Sequence, residues 1–331
     1  MSLTRTHRIA CTALWTATAL ALPAGCQDSR SLAPDNQPGV AAGPAAAAID
    51  RGQAFLWSRQ KDDGSWPAQP VGFPGGSTAL AAWALMESGV PADDPRIQKA
   101  LAWLQETETN RTYTLAVRAN AYQRAHARTG DAELRKALRA DVTRLVRGSG
   151  TGGYTYTVDA PADDLGDKSN SHYAVMGVQA GQAGGLDVPD RYLQRVLKYW
   201  VEAQNADGGW PYSRKGTRST PTMTAAGVAT LGFVRQRLDT GEADEVIGRG
   251  LEWLDEHFQA SLKDPAVMYY YFLALQRMGT LVEQGPSTGK AWQQAVRDEL
   301  LGRQRDDGRW VGSWGPDVST AYAILVLARQ Q

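Results

Sequence analysis

The sequence predicts an all-α protein, a single (α/α)6 toroid, which is a barrel of six helix pairs with an inner and an outer ring. Three observations lead to this fold class. A spaced motif recurs along the chain, the predicted helices alternate between two kinds, and the first and last repeats both carry the complete motif. Together they account for the chain from residue 49 to residue 331.

The recurring motif combines Gln, Gly and Trp. Each copy places Gly four residues after Gln and Trp two residues after Gly. The Gln and Trp pairs are Gln60 with Trp66, Gln204 with Trp210, and Gln304 with Trp310. Weaker echoes of the helix that precedes the motif occur at 99–104 and 249–254. Such internal repeats predict one repeated unit, here a helix, a turn and a second helix.

The first helix of each repeat has the amphipathic pattern of a surface helix, because Arg, Glu, Lys and Gln occupy one face. In chain order, we predict these helices at 49–60, 97–106, 132–146, 190–204, 242–258 and 291–304. We therefore assign them to the outer ring.

The second helix of each repeat is rich in small residues and nearly free of charge for two or three turns. In chain order, we predict these helices at 77–88, 112–127, 169–182, 220–237, 264–278 and 317–328. Several begin at Ser, Thr or Asp, whose side chains cap helix N-termini. Helices that are apolar on most sides are buried, so we assign this set to the inner ring.

An open solenoid of HEAT-like helix pairs would show a repeat of similar length. A solenoid, however, needs polar capping repeats at its two ends. Here the first and the last repeat both carry the complete Gln, Gly and Trp turn. A closed ring explains this, because its first and last repeats are neighbours.

Composition indicates an ordinary soluble globular protein. The 331 residues are 43% hydrophobic and 21% charged, with 35 Lys and Arg against 35 Asp and Glu. These values exclude wholesale disorder, a collagen-like fibre and a polytopic membrane protein. Basic runs are missing, so we expect no nucleic-acid partner. The excess of Trp over Phe, 11 against 5, we attribute mainly to the repeated turns and the outer helices.

The first 26 residues have the order of a secretory signal. Arg5 and Arg8 precede an uncharged stretch rich in Ala, Leu and Thr, which is too short for a comfortable transmembrane helix. Residues 21–26 resemble the lipobox of bacterial lipoproteins, in which Cys26 would be lipidated. Ordinary cleavage after Ala24 is the alternative. We expect export, to the periplasm or to the outer membrane as a lipoprotein anchored through Cys26.

Residues 27–48 are Ala, Pro, Gly and Ser with few large apolar side chains, which is typical of a disordered tether. We therefore expect the folded domain to span 49–331. Both cysteines, Cys11 and Cys26, lie in the signal. The mature domain then has no disulfide, no thiol nucleophile and no Cys-ligated metal.

The repeat resembles the QW motif of the squalene-hopene and oxidosqualene cyclases. The whole domain is similar to the toroid superfamily of terpenoid cyclases and protein prenyltransferases, which share prenyltransferase/squalene oxidase repeats. The resemblance implies that the Gln side chain bonds the turn while the Trp stacks over it and joins neighbouring outer helices. The three Gln and Trp pairs would then be structural, not catalytic.

Catalytic motifs of these enzymes do not carry over to this chain. The alkene-protonating cyclases use an Asp-x-Asp-Asp-Thr-Ala signature at the start of an inner helix, and this chain lacks it. The nearest segments are 163–170, with Asp164 and Asp167, and 317–321, which begins with Asp317. Helix N-capping is the alternative explanation for both.

The resemblance also argues against a prenyltransferase. That family binds zinc through Asp, Cys and His, and Thr320 stands here where its His would be. The Gly-Cys-Gly-Glu-Gln string of complement-like thioester domains is missing too. We therefore expect no metal and no cofactor.

The inner helix ends of a toroid surround a central cavity. We predict that entries to these helices line it, namely Tyr154, Tyr156, Asn170, Tyr212, Tyr269, Trp314 and Asp317. His172, at the start of an inner helix, is the histidine we would test, although a lone His is more often structural. Asp164, Asp167 and His172 are the candidate catalytic residues.

Three functions follow. The first is a binding or scaffold toroid without the superfamily's chemistry, whose partner is an isoprenoid, a lipid, a glycan or an envelope protein. The second is a terpene-cyclase-like enzyme in which an Asp at the start of an inner helix is the acid. The third is a periplasmic polysaccharide lyase or hydrolase, which rests on fold analogy alone. The scarcity of Phe argues against a cavity built to stabilise carbocations, so we favour the first.

Overall fold

The computed structural model describes residues 43–68, 73–160, 166–213, 217–238, 241–262, 265–282 and 291–329. All of them belong to the compact unit Pro38–Gln331. They form twelve α-helices and no strand. In chain order the helices are α1 (Pro44–Arg59), α2 (Gly76–Glu87), α3 (Pro95–Glu106), α4 (Thr112–Thr129), α5 (Ala132–Arg147), α6 (Lys168–Ala183), α7 (Asp190–Ala203), α8 (Pro221–Arg235), α9 (Gly241–His257), α10 (Pro265–Val282), α11 (Ala291–Arg303) and α12 (Pro316–Ala328).

The twelve predicted helices are all present, and most bounds differ by one or two residues. The largest difference is at α1, which begins at Pro44 and not at Ile49. Proline suits the first turn of a helix and alanine has the highest helix propensity, so the segment Pro44-Ala-Ala-Ala-Ala extends the helix. Its last residue, Ala48, is fully buried. The end of the predicted tether is therefore part of the folded domain, and our start at 49 was too late.

The even-numbered helices form a closed inner ring. Each packs against the next, from α2 through α4, α6, α8 and α10 to α12, and α12 packs back against α2. The ring closes on the outside as well, since α1 contacts both α11 and α12. This arrangement confirms the toroid and excludes an open solenoid.

Burial differs between the two rings as the sequence pattern predicts. In α12 every residue from Asp317 to Ala328 is buried, and in α8 every residue from Thr222 to Val234. The outer helices bury one stripe only. In α3, for example, Ile97, Ala100, Leu101 and Leu104 face the core, and this spacing of three and four residues is that of a surface helix.

The Gln side chain of the motif joins two outer helices. In each copy its Nε2 donates to the carbonyl of the motif Gly, at 2.8 to 3.0 Å. It also donates to a carbonyl of the next outer helix. These acceptors are Arg96 of α3, Val246 of α9 and Ala48 of α1, at 3.0, 2.9 and 2.8 Å. The third bond spans the seam between α11 and α1.

The Trp of the motif joins an outer helix to an inner one. Its indole N–H donates to a carbonyl ten residues earlier on its own outer helix, and these acceptors are Leu56, Trp200 and Leu300 at 2.7 to 2.8 Å. Its backbone N–H donates to a Thr hydroxyl on the following inner helix, and these are Thr78, Thr224 and Thr320 at 3.0 to 3.1 Å. All three indoles are buried, so each repeat turn is stapled in the same way.

The motif Gly is required by both conformation and space. Gly64, Gly208 and Gly308 have φ of 89°, 89° and 86°, a region that residues with a Cβ rarely adopt. A Cβ on Gly208 would lie 2.7 Å from the carbonyl oxygen of Arg249. The turn therefore approaches the backbone of the next outer helix too closely for any side chain.

Within the ranges that the structure describes, none of the helices has the length and apolar character needed to cross a membrane. The predicted signal, with Cys11 and Cys26, lies outside the described residues, as does most of the predicted tether.

Candidate functional site

A cavity of about 600 Å³ opens at the end of the ring where the inner helices begin. We call it the mouth cavity. Its walls come from the first turns of all six inner helices and from the loops that precede them. A cavity of this size is in the range that small-molecule ligands occupy.

Aromatic rings dominate the wall. Eight of the nineteen lining residues are aromatic, namely Phe73, Tyr113, Tyr156, Tyr173, Tyr212, Tyr270, Trp314 and Tyr322. Five more are aliphatic or Met: Leu80, Val117, Met223, Val267 and Val318. The remaining six are Gly, Ser or Thr, and none of the nineteen is charged. The wall therefore suits a largely apolar ligand.

The rings on one side of the cavity pack in a continuous row. The centroids of Tyr113 and Tyr173 are 4.4 Å apart, and Tyr173 stacks on Tyr270 at 5.1 Å. Phe73 makes edge contacts with Tyr113 and Tyr156 at 6.5 and 6.2 Å. Offset and edge-to-face contacts of this kind stabilise aromatic pairs. The row presents a rigid aromatic surface to any ligand.

One carboxylate lies directly behind the wall. Asp167 caps α6, and its Oδ1 accepts from the backbone N–H groups of Ser169 and Asn170 at 2.8 and 3.0 Å and from the Ser169 hydroxyl. Its Oδ2 accepts from the Tyr212 hydroxyl at 2.5 Å. The Ser169 hydroxyl also bonds the Tyr113 hydroxyl at 2.5 Å. Two lining hydroxyls, those of Tyr212 and Ser169, therefore separate the carboxylate from the cavity.

Buried phenols form the floor, and one histidine lies behind them. The Tyr173 and Tyr322 hydroxyls bond each other, and His172 Nδ1 lies 2.7 Å from the Tyr270 hydroxyl. Burial, with a smaller effect of the Arg277 charge, lowers the pKa of His172 well below its usual value. Burial raises the pKa of Tyr173, Tyr270 and Tyr322. At neutral pH the floor is therefore uncharged.

Three comparisons with known proteins bear on this arrangement. No protein-family model matches the chain. A segment of 151 residues, 43% of the chain, is 30% identical to drimenyl diphosphate synthase of Streptomyces showdoensis, and it covers 28% of that enzyme. The chain thus spans well under half of this curated relative.

Solved structures match over nearly the whole domain. A single-substitution variant of the type II terpene cyclase MstE from Scytonema, in complex with the substrate geranylgeranyl dihydroxybenzoate, matches with a TM-score of 0.59 at 14% identity, over 87% of this chain and 97% of that one. An inactive variant of an alpha-1,6-mannanase from Salegentibacter, in complex with alpha-1,6-mannotetrose, matches with a TM-score of 0.67 at 10% identity, over 87% and 99%. At such identities the likeness concerns the fold.

The chain has the terpene-cyclase-like α/α toroid fold. The sequence resemblance to the cyclases is confirmed at that level. The toroid's chemistry has to be argued from its own residues.

Three of the predicted lining residues of this toroid lie in the cavity wall. Tyr156 and Tyr212 are half-exposed at the rim, where their hydroxyls approach to 3.4 Å, and Trp314 lies across from them in the loop before α12. Asp167 lies behind Tyr212. Asp164 lies outside the described residues.

The other four predicted lining residues lie outside the wall. Tyr154 is buried with its hydroxyl on the Leu145 carbonyl, and Tyr269 turns its hydroxyl to the Val311 carbonyl. Asn170 is fully buried within the ring. Asp317 faces outward and bonds Arg59 of α1 at 3.1 Å. Each of these residues lies near the start of an inner helix, but its side chain points away from the cavity. The spacing of residues along the chain does not reveal this direction.

His172 likewise does not line the cavity. It is buried behind Tyr270, and its Nε2 has no partner among the described residues. No group of three or more His, Cys, Asp or Glu that would suit a metal ion occurs in the described ranges.

Sequence reasoning missed most of the wall. Tyr113, Tyr270 and Tyr322 line the cavity from positions inside their helices, up to two turns after the start. A usable signal existed, since four of the six inner helices carry a Tyr in their first two turns.

Proposed function

We propose that this toroid is a binding protein for an apolar chain of isoprenoid type, which lies in the mouth cavity. The observation that carries the proposal is the uncharged wall, in which thirteen of nineteen residues are aromatic, aliphatic or Met. The bound substrate of MstE, a geranylgeranyl compound, supports the same ligand class in a related ring.

Asp167 supports binding more than acid catalysis. An acid that protonates an alkene must hold a proton and direct it at the substrate. Asp167 accepts four hydrogen bonds, three on Oδ1 and one on Oδ2, so both of its oxygens are already bonded to groups of the protein. Hydroxyls of Ser169 and Tyr212 also lie between it and the cavity. We therefore propose that the ligand leaves the cavity unchanged.

The test is calorimetric titration with farnesol and geranylgeraniol. Val267 lines the cavity and is only half-buried, so Val267→Trp should obstruct part of the cavity without disturbing the core. We expect it to weaken binding by ~10-fold or more, equivalent to about 1.4 kcal/mol. Val311→Trp is the matched control, because Val311 is exposed near the mouth but outside the wall. Equal loss in both variants, or no binding by the wild type, would refute the proposal.

Mass spectrometry of the bound ligand separates binding from catalysis. Farnesol or geranylgeraniol should be recovered with unchanged mass and unchanged retention. A cyclised product that Asp167→Asn abolishes would instead support the terpene-cyclase alternative.

A glycan ligand is the second candidate. It is favoured by the mannanase likeness and by the two half-exposed phenols at the rim, Tyr156 and Tyr212, because aromatic side chains with a polar tip suit sugars. The same titration with alpha-1,6-mannotetraose discriminates the two. Binding of the tetrasaccharide, lost in Tyr212→Ala and unaffected by Val267→Trp, would favour the glycan.

We further propose export through residues 1–26, with lipidation of Cys26. Metabolic labelling with a fatty-acid analogue, followed by membrane fractionation, tests this. Label that enters the wild type and not Cys26→Ser is the expected result. Unlabelled protein in the soluble fraction would contradict lipidation.

A further inference from the structure

The mouth cavity combines three features that together specify the charge of its ligand. Its wall holds eight aromatic rings, the lining residues that the structure describes include no Lys, Arg or His, and a carboxylate lies one hydrogen bond behind the wall. Aromatic faces carry partial negative charge and attract organic cations, most of all quaternary ammonium groups. An anionic group would find no cationic partner among these lining side chains.

The carboxylate is directed at the cavity side. Its two bonded hydroxyls, on Tyr212 and Ser169, belong to the lining. Lys168, the adjacent residue, directs its Nζ away to the Ser213 carbonyl and packs against the Tyr199 ring. Within the described residues its ammonium group forms no ion pair with Asp167, although burial lowers the pKa of Lys168 and the Asp167 charge partly opposes this. The Asp167 charge also reaches the wall, since it adds to the effect of burial in raising the pKa of Tyr113 and Tyr270.

Helix dipoles alone would favour an anionic ligand, because six helix N-termini surround the mouth. Anion sites at such ends depend on free backbone N–H groups. Here the N–H groups of Thr112 and Lys168 are bonded to the Tyr156 and Tyr212 carbonyls. Asp167 occupies two more, and α8, α10 and α12 begin with Pro, which has no N–H. The remaining dipole effect falls off within the first turn, and at the start of α6 the Asp167 carboxylate offsets it.

We propose that the natural ligand of the mouth cavity is an amphiphile with a cationic head, a substituted ammonium group attached to an apolar chain. This inference rests on the proposed function and names the chemistry of the ligand's polar end. The head lies against Tyr113 and Tyr212, near Asp167, and the chain lies along the row of rings toward the floor.

The titration behaviour of the wall agrees with this charge preference. Burial raises the pKa of Tyr113 well above its usual value, and the negative charge of Asp167 raises it further. Burial and the hydrogen bond to Asp167 raise the pKa of Tyr212. Burial disfavours a charge of either sign, whereas the contribution of Asp167 disfavours negative charge in particular on this side of the cavity.

Three ligands that share one farnesyl chain isolate the head group. They are farnesol, farnesyl diphosphate and N,N,N-trimethylfarnesylammonium, each titrated into the full-length protein by calorimetry. We expect the ammonium compound to bind ~10-fold more tightly than farnesol and ~100-fold more tightly than the diphosphate. This comparison uses the wild type alone, so it holds whether or not any variant folds.

Substitution of the carboxylate provides the second measurement. Asp167→Asn keeps an N-cap oxygen for α6 but removes the charge. We expect it to weaken binding of the ammonium compound by ~10-fold more than it weakens binding of farnesol. Asp94→Asn is the matched control, because Asp94 caps the outer helix α3, and it should change neither.

The outcomes separate the two proposals. Farnesol binding as tightly as the ammonium compound, or equal loss of both in Asp167→Asn, overturns the cationic head and leaves the apolar-ligand function standing. Tightest binding of the diphosphate also overturns it. If none of the three farnesyl compounds binds, both proposals fail.

Discussion

The three motif turns and the mouth cavity are both built from aromatic side chains, but they hold them differently. In the turns each indole is buried, and its N–H donates to a backbone carbonyl of the preceding outer helix. In the cavity, the phenol rings face open space, and their hydroxyls bond other side chains. The turns therefore contribute to folding, whereas the cavity rim is free to serve a ligand.

Loss of a motif indole should have the largest effect. Trp210 is fully buried, and Trp210→Ala removes its packing against α8 together with the bond to the Trp200 carbonyl. We expect the free energy of unfolding to fall by about 3–5 kcal/mol. Urea denaturation followed by circular dichroism measures it.

Trp103→Ala is the control for that prediction. Trp103 lies on α3, is half-buried and belongs to no motif turn. Its replacement by Ala should lower the free energy of unfolding by clearly less than Trp210→Ala does. Equal costs would show that the motif indoles have no special role.

Loss of a motif Gln should have an intermediate effect. Gln304→Ala leaves the carbonyls of Gly308 and Ala48 without this donor at the seam between α11 and α1. We expect a cost of about 1–3 kcal/mol, as for a buried polar group left unpaired. Gln294→Ala, on the exposed face of the same helix, should be close to neutral in the same assay.

Acid should weaken the toroid through His172. Its pKa is lowered in the folded state, chiefly by burial, so below about pH 6.5 the unfolded chain takes up a proton that the folded chain does not. The free energy of unfolding should therefore fall as the pH falls, by up to ~1.4 kcal/mol per pH unit.

Denaturation at pH 7, 6 and 5 checks this pH dependence. His172→Gln should remove the part of the pH dependence of the free energy of unfolding that His172 contributes. His126→Gln, a change near the end of α4, should leave that pH dependence in place. A slope that is the same in both variants would contradict a buried, neutral His172.

Changes at the cavity rim should have the smallest effect on stability. Tyr156→Phe removes a half-exposed hydroxyl whose contact with Tyr212 is long, at 3.4 Å. We expect the free energy of unfolding to change by less than ~0.5 kcal/mol. A larger loss in chemical denaturation would mean that the rim also holds the ring together, which would narrow the contrast between the two regions.

The sequence was sufficient for the fold because the signals of the fold are local. Gln204, Gly208 and Trp210 act within one turn, and their spacing alone identifies it. Their partners are less visible. The Thr224 hydroxyl, which accepts a hydrogen bond from the backbone N–H of Trp210, lies fourteen residues later in the chain. Thr78 and Thr320 accept the equivalent bonds in the other two turns at different spacings.

The cavity wall was predicted only in part, because it depends on where side chains point and on which inner helices face each other across the ring. Tyr156, Tyr212 and Trp314 were identified as helix entries. Asp317 and Tyr269 have the same kind of position, but their side chains turn to Arg59 and to the Val311 carbonyl. The row from Tyr113 to Tyr270 joins three helices far apart in sequence, and no local pattern indicates that they meet.

The seam of the ring has a consequence for how the chain is connected. Where α11 meets α1, Gln304 reaches the Ala48 carbonyl just as Gln60 and Gln204 reach the helices that follow them. The contact between α11 and α1, which closes the ring, therefore uses the same hydrogen bond as the contacts between outer helices that follow one another along the chain. The order of helices around the ring is independent of where the polypeptide is cut. A circular permutant opened between α4 and α5, with α12 tethered to α1, would keep the same set of neighbours.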